Sequence, residues 1–225
     1  MGQHAAQAWW LDQFLLRREA AGGALAPFPQ AIGAAEALVG VALDRVDLPR
    51  PSYEAVGTLR YQAQLLADFA RNLEAELGEH ARRAEEAVAE RVVTEAEASR
   101  RARTMMGALS GALQSVASLT EVCHALVVVA EGLLVITRPR SRVALVSAVE
   151  AVRGAASTSL VIVSSNIGRV TDAVLYDRLE AVSRTVDATL VRADQVSEVI
   201  RAGSARPELP VQRVGGPSPW GAMPG

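Results

Sequence analysis

Lysine is absent from this chain. All 23 basic residues are arginine, set against 25 acids for a formal net charge of −2. That balance excludes the strongly basic surface through which general nucleic-acid binders displace counterions, so no nucleic-acid partner is expected. Cysteine occurs once, at Cys123, which excludes an intramolecular disulfide framework and any Cys-based zinc site. Histidine occurs only at positions 4, 80 and 124, too scattered for an obvious metal cluster, and no metal is expected. Aromatic residues make up 4% of the chain, and no strand-like alternation or repeat of fixed length is present. What remains is alanine, roughly a fifth of the 225 residues, within a composition that is half apolar. Such a sequence favours closely packed helices over a sheet core.

The N-terminus lacks a basic start followed by an apolar run and a small-residue cleavage site. Residues 119–136 and 143–167 are strongly apolar, but the first carries Glu121, His124 and Glu131 and the second Glu150 and Arg153. Each charge at a bilayer centre costs about 2.5–3.5 kcal/mol. Both stretches read as central helices of a soluble bundle, and a cytoplasmic protein without membrane attachment is expected.

Proline divides the chain. It falls at 27 and 29, at 49 and 51, at 139, and again from 207 onward, leaving two long spans free of it. Residues 4–21 carry Trp9, Trp10, Phe14 and Leu15 at one-face spacing and stop at Gly22-Gly23. After a loop over 24–29, residues 30–46 form a thin, alanine-rich helix, and 47–52 form a turn. A long helical run covers 53–94, densely charged from Glu74 to Arg91, with Gly78 a candidate break. Thr94 and Glu97 have capping-box spacing and start a helix to about Val116. Its first turns hold Arg100, Arg101 and Arg103, cations that oppose the helix dipole unless they meet an anion. Ser118 or Thr120 is expected to cap a further helix ending near Thr137, and Arg138-Pro139-Arg140-Ser141 is a linker. Two more helices follow, over 141–167 and 171–202, the first with a polar run from Ser157 to Asn166. Residues 204–225 are rich in proline and glycine and read as a disordered tail. The expectation is one all-α, up-down bundle of about seven helices over residues 4–203, with apolar surface left for a homodimer.

In this order the segments resemble the cyclodeaminase/cyclohydrolase family, typified by the C-terminal domain of formiminotransferase-cyclodeaminase. The likeness runs from about Trp9 to Arg201. It rests on an N-terminal Leu-Asp-Gln-Phe-Leu helix, then Ile32-Gly33-Ala34-Ala35-Glu36-Ala37-Leu38-Val39-Gly40, then the long charged helix. Next come Arg101-Ala102-Arg103-Thr104-Met105-Met106-Gly107-Ala108-Leu109 and Ser118-Leu119-Thr120-Glu121-Val122-Cys123, and last Val163-Ser164-Ser165-Asn166-Ile167 with Asp172. The resemblance implies an all-helical dimer and C–N bond chemistry on a one-carbon unit. A tetrahydrofolate derivative would be the substrate, with no separate cofactor required. Where the family carries Pro-Gly-Gly-Gly-Ser, this chain reads Pro27-Phe28-Pro29-Gln30-Ala31-Ile32-Gly33, which lacks the glycines that let backbone approach a ligand. The family's acid on the charged helix has Glu76, Glu79 and His80 as its nearest counterparts here.

Such chemistry needs a proton donor or acceptor beside the reacting nitrogen and cations for carboxylates. Glu79 and His80 are the candidate catalytic pair. Adjacent helical positions point about 100° apart, so both can border one cleft; two solvated residues on a charged helix face is the more ordinary reading of the same pair. Arg101, Arg103 and Asn166 are the candidate substrate-binding residues, against surface ion pairing for the arginines and backbone satisfaction for the amide. His124 reads as a satisfied core histidine. The functional expectation is a diverged cyclodeaminase-like or cyclohydrolase-like enzyme acting on a folate-type or other small nitrogenous substrate; the alternative is a catalytically inactive helical dimer that binds a ligand or partner protein.

Overall fold

The computed structural model describes residues 26–44 and 50–204. Among these residues every long element is an α-helix and no strand occurs: α1 (Pro27–Leu43), α2 (Arg50–Ala89), α3 (Glu95–Leu134), α4 (Arg142–Asn166) and α5 (Ala173–Ser204). Short 3-10 turns at Pro139–Ser141 and Ile167–Arg169 join the last three. Successive helices run in alternating directions, and α3 packs against all four others. The all-α bundle is therefore as the sequence indicates. The expected helix over 4–21, the residues from 205 onward and part of the 47–52 turn lie outside the described residues.

Several boundaries differ from the sequence reading, each for a physical reason. α1 starts at Pro27 rather than after Pro29, because a first-turn proline gives up no helical hydrogen bond and is already set to helical φ. Pro51 sits likewise in the first turn of α2. Gly78 does not break α2, which continues for 40 residues, about 60 Å. Its propensity cost is about 1 kcal/mol. The adjoining turns offset it through ion pairs of Glu79 with Arg82 and Arg83 and of Arg82 with Glu86.

The largest correction concerns α3. A stop near Val116 and a new cap at Ser118 or Thr120 do not occur; one helix runs unbroken from Glu95 to Leu134. Thr120 Oγ1 donates back to the Ala117 carbonyl at 2.7 Å, and Ser118 Oγ accepts from Arg178. Both hydroxyls are thereby used inside a continuous helix instead of at its start. The cap at Thr94 is present in full: Thr94 Oγ1 accepts from the Glu97 amide, and Glu97 Oε2 accepts from the Thr94 amide at 2.9 Å.

The core is built of small side chains. Ala63, Ala67 and Ala70 of α2, Ala108, Ala112 and Ala117 of α3, and Ala148, Ala155 and Ala156 of α4 are buried among leucines and valines. α3 and the span Pro139–Arg169 are each long and apolar enough to cross a membrane by length and composition. Within the bundle, 61% of the most apolar window of α3 and 39% of that around α4 are already covered by protein. Helix α5 is tied on by a polar seam: Arg178 to Glu121, Arg192 to Glu131, and Arg153 of α4 to Asp194.

One end is clamped by Asp44, which follows α1. Its carboxylate accepts from Arg140 and from the Ser141 hydroxyl, fixing the α3–α4 turn against the end of α1. The Arg140 guanidinium first, and the Ser141 hydroxyl second, hold the Asp44 carboxyl below its ordinary range. A carboxyl lowered in the folded state stabilises fully above its unfolded value, about 3.9. That contribution disappears as pH falls through the folded value. Replacing Asp44 by Asn is expected to lower the urea midpoint at neutral pH and to shrink the difference from the parent as pH drops below about 4. Urea titrations of both proteins across that interval check this.

Candidate functional site

Helices α2 and α3 form a long antiparallel hairpin, on which α1 packs. Glu36, midway along α1, pairs with Arg71 of α2, and the nine residues before it carry α1 about 14 Å further, toward the level of His80. The hairpin register pairs Glu76 with Ser115 and His80 with Gly111.

Contact at Gly111 is very close. A Cβ there would stand 2.2 Å from Cε1, 2.4 Å from Nε2 and 2.7 Å from Nδ1 of His80. The imidazole therefore lies directly on the α3 backbone, a berth open only to glycine. His80 Nδ1 is buried and has no hydrogen-bond partner. The ring thus carries one nitrogen whose hydrogen-bonding capacity is unmet inside the seam. Burial first, and the Arg83 charge second, push the His80 pKa below its ordinary value, while Glu76 and Glu79 pull the other way. The net effect favours the uncharged ring.

Its neighbour is differently engaged. Glu79 accepts from Arg82 at 2.7 and 2.9 Å and from Arg83 at 2.9 Å. The Arg82 bond chiefly holds its carboxyl below the ordinary range, against a smaller opposing effect of burial. Glu79 thus stays ionised and paired, and it is ill suited to deliver a proton near neutrality. Of the candidate catalytic pair, His80 has the geometry of a base and Glu79 that of a fixed charge orienting its surroundings.

The remaining candidates stand apart. Arg101 and Arg103 occupy the early turns of α3, about 15 and 12 Å along the axis from Gly111. Neither makes an ion pair among the described residues, so no carboxylate of the described bundle occupies them. Asn166 ends α4 and donates its Nδ2 to the Ile162 carbonyl at 2.8 Å, capping its own helix. No hydrogen bond or ion pair joins Arg101, Arg103 or Asn166 to Glu79 or His80 among the described residues.

Sequence reasoning passed over Glu76 as a partner, Gly111 and Ser115. Ser115 is 3% exposed and donates weakly to Glu76 Oε2 at 3.5 Å. The i,i+4 spacing of Glu76 and His80 signals a shared helix face, but nothing in the sequence pairs that face with Gly111. His124 is half-buried at the α3–α5 seam. The Thr189 hydroxyl gives its proton to the Thr185 carbonyl at 2.7 Å, so His124 Nδ1 donates to Thr189 Oγ1 at 3.2 Å. Cys123 is fully buried and its thiol is pushed up to about 12 by burial, which makes it inert as a nucleophile. At the start of α1, Phe28 is fully buried, and the Gln30 Oε1 atom lies 3.1 Å from where a Cβ on Gly154 would stand. An aromatic ring and an amide thus fill space that a glycine run would leave open.

The described residues form an all-helical bundle in which Glu76, His80 and Ser115 make a polar seam between α2 and α3. No family model matches the chain, and no curated protein matches it. Among solved structures it is similar to formiminotetrahydrofolate cyclodeaminase from Thermotoga maritima, with a TM-score of 0.64 at 14% identity, over 85% of this chain and 95% of that one. The likeness is one of fold: the chain has a cyclodeaminase-like helical architecture.

Replacing Gly111 by Ala is expected to expel the imidazole. Overpacking costs about 1–3 kcal/mol, against about 1 kcal/mol gained in helix propensity. The variant should be less stable by about 1 kcal/mol on these figures, and the His80 pKa should rise toward its ordinary value as the ring meets water. Chemical denaturation and a histidine NMR titration measure the two effects.

Proposed function

We propose that this chain is a cyclodeaminase-like enzyme that makes or breaks a C–N bond on a folate-type or other small nitrogenous substrate, as a cytoplasmic homodimer. The supporting observation is that a fold shared over 85% of the chain with a folate cyclodeaminase coincides with an uncharged, half-buried histidine beside carboxylates. In this reading His80 moves the proton at the reacting nitrogen. Glu79 holds Arg83, whose charge adds to burial in favouring the neutral form of His80. Arg101 and Arg103 are free to meet the carboxylates of an extended substrate at the open end of the hairpin. No cofactor beyond the substrate is invoked, and neither a membrane nor a nucleic acid takes part.

A second reading has its own observation. The buried Phe28 and the Gln30 amide stand in the first turn of α1, where the resembling family carries glycines, and Asn166 is spent on its own helix. A scaffold that kept the architecture and binds a ligand without turnover would look the same there.

Incubation of the purified protein with 5-formimino- and methenyl-tetrahydrofolate, followed by mass spectrometry, separates the readings. Turnover should appear for one of them or for a related nitrogenous substrate, and His80→Ala should reduce it at least ~100-fold. Glu79→Gln should reduce it less. Retention of ligand without product supports the binding protein, and full activity in His80→Ala removes His80 from the reaction.

A further inference from the structure

One face of α2 stays uncovered by the described bundle. Tyr61, Leu65 and Phe69 follow one another at i, i+4 and i+8 and are 64%, 48% and 47% exposed. Among the described residues Phe28 is the only buried aromatic, so these two rings stand outside a core that has almost none. The same face continues through Asn72 to Glu76, both exposed. Glu76 makes no ion pair among the described residues and receives only the long hydrogen bond from Ser115. Along the direction of α2 the stripe is thus three large apolar groups followed by an unpaired carboxylate.

The chain carries a segment of matching pattern. Residues 4–21, outside the described residues, have Trp10, Phe14 and Arg18 at i, i+4 and i+8, with Leu11 and Leu15 beside them. In the same direction this too is apolar groups followed by a charge, here a cation. The point of attachment sets the orientation. Glu36 pairs with Arg71, so Pro27 at the start of α1 comes to about the level of His80. Residues 22–26 span at most about 17 Å. That is enough to cross one helix, about 10 Å wide, but the reverse orientation would put residue 21 near Tyr61, about 28 Å from the level of His80. With Phe14 beside Phe69, Trp10 falls beside Leu65, and Arg18 lies about 4.5 Å along the axis from Glu76, within a guanidinium's reach. We infer that residues 4–21 dock as an amphipathic helix on the Tyr61–Leu65–Phe69 face of α2, parallel to it, with Arg18 meeting Glu76. So short a tether presents the segment at an effective concentration that a second copy of the chain does not match in dilute solution. The contact removes both apolar faces from water and brings a cation to the carboxylate one turn from His80. It is independent of whether the chain turns over a substrate.

The test is directed disulfide formation in the full-length chain. The same alignment places Gln7 beside the exposed Gln62, so Gln7→Cys is combined with Gln62→Cys. Cys123 is fully buried and takes no part. Gln7→Cys with Val161→Cys, an exposed position on α4, is the control. In dilute protein equilibrated with a glutathione redox buffer, non-reducing mass spectrometry should show an intramolecular disulfide in the first pair and none in the control. Adding Leu65→Gln should lower the equilibrium constant for that disulfide about tenfold, a loss of about 1.4 kcal/mol. Arg18→Glu, which sets like charges together, should lower it at least as much, and circular dichroism melts verify that both variants fold. Absence of the intramolecular disulfide, equal formation in the two pairs, or no effect of either change in a folded bundle overturns the docking. A product linking two chains only also overturns it and assigns the stripe to a second copy. A further measurement leaves α2 untouched: with Trp9→Phe and Trp220→Phe, Trp10 is the one indole remaining. Acrylamide should quench it less in the folded protein than in urea, and equal quenching in the two states overturns the docking.

Discussion

Close approach of helix backbones, permitted by alanine and glycine, is the constraint on which the whole molecule depends. α3 touches every other described helix, and Ala108, Ala112, Ala117 and Ala130 are interleaved with its buried leucines and valines. Small residues shorten interhelical distance, and short distance raises the number of favourable atom contacts in a core nearly without aromatics. The same economy makes the bundle sensitive to single methyl groups. Gly132 admits the Leu59 side chain, whose Cδ2 would stand 2.8 Å from an added Cβ, and Gly111 admits His80 in the same manner. The two glycines are therefore instances of one packing rule.

Much of the architecture was legible because helices announce themselves by proline spacing and capping chemistry. Thr94 and Glu97 mark the start of α3 by a box that depends only on local hydrogen bonds, and the structure forms it. Ser118 and Thr120 offered a similar local signal and were misleading, since their hydroxyls bond within the helix and to Arg178 sixty residues away. Local propensity cannot see Arg178. Gly78 misled for the complementary reason: its cost is local, whereas the burial of Leu77 and Ala84, which adds to the neighbouring ion pairs in keeping the helix whole, is tertiary.

The site was legible in part. His80 stood out by residue type, and its adjacency to Glu79 suggested a pair. The structure divides that pair, giving Glu79 to the arginines and His80 to the seam. The partner that shares the seam with His80 is Glu76, one turn earlier, and its identification required knowing that Gly111 and Ser115 lie opposite. Hairpin register carries that information, and register follows from how α2 and α3 interdigitate along their full lengths, which no single motif encodes. Arg101 and Arg103 are placed as their unfavourable position against the helix dipole implies, without an internal partner.

The setting of His80 follows from unequal helix lengths. α2 and α3 have 40 residues each and α1 has 17. Glu36 pairs with Arg71, so α1 begins near the level of His80 and leaves the stretch from there to the Thr94 tip without its cover. His80 thus stands where the three-helix packing gives way to the bare hairpin, and it is half-buried, with Nδ1 unpaired against Gly111. Nearer the tip the ring would lose its cover to water; deeper among the buried alanines and leucines of α2 both nitrogens would need partners. A glycine on α3 supplies the berth, and the length mismatch sets how much of the ring water can reach.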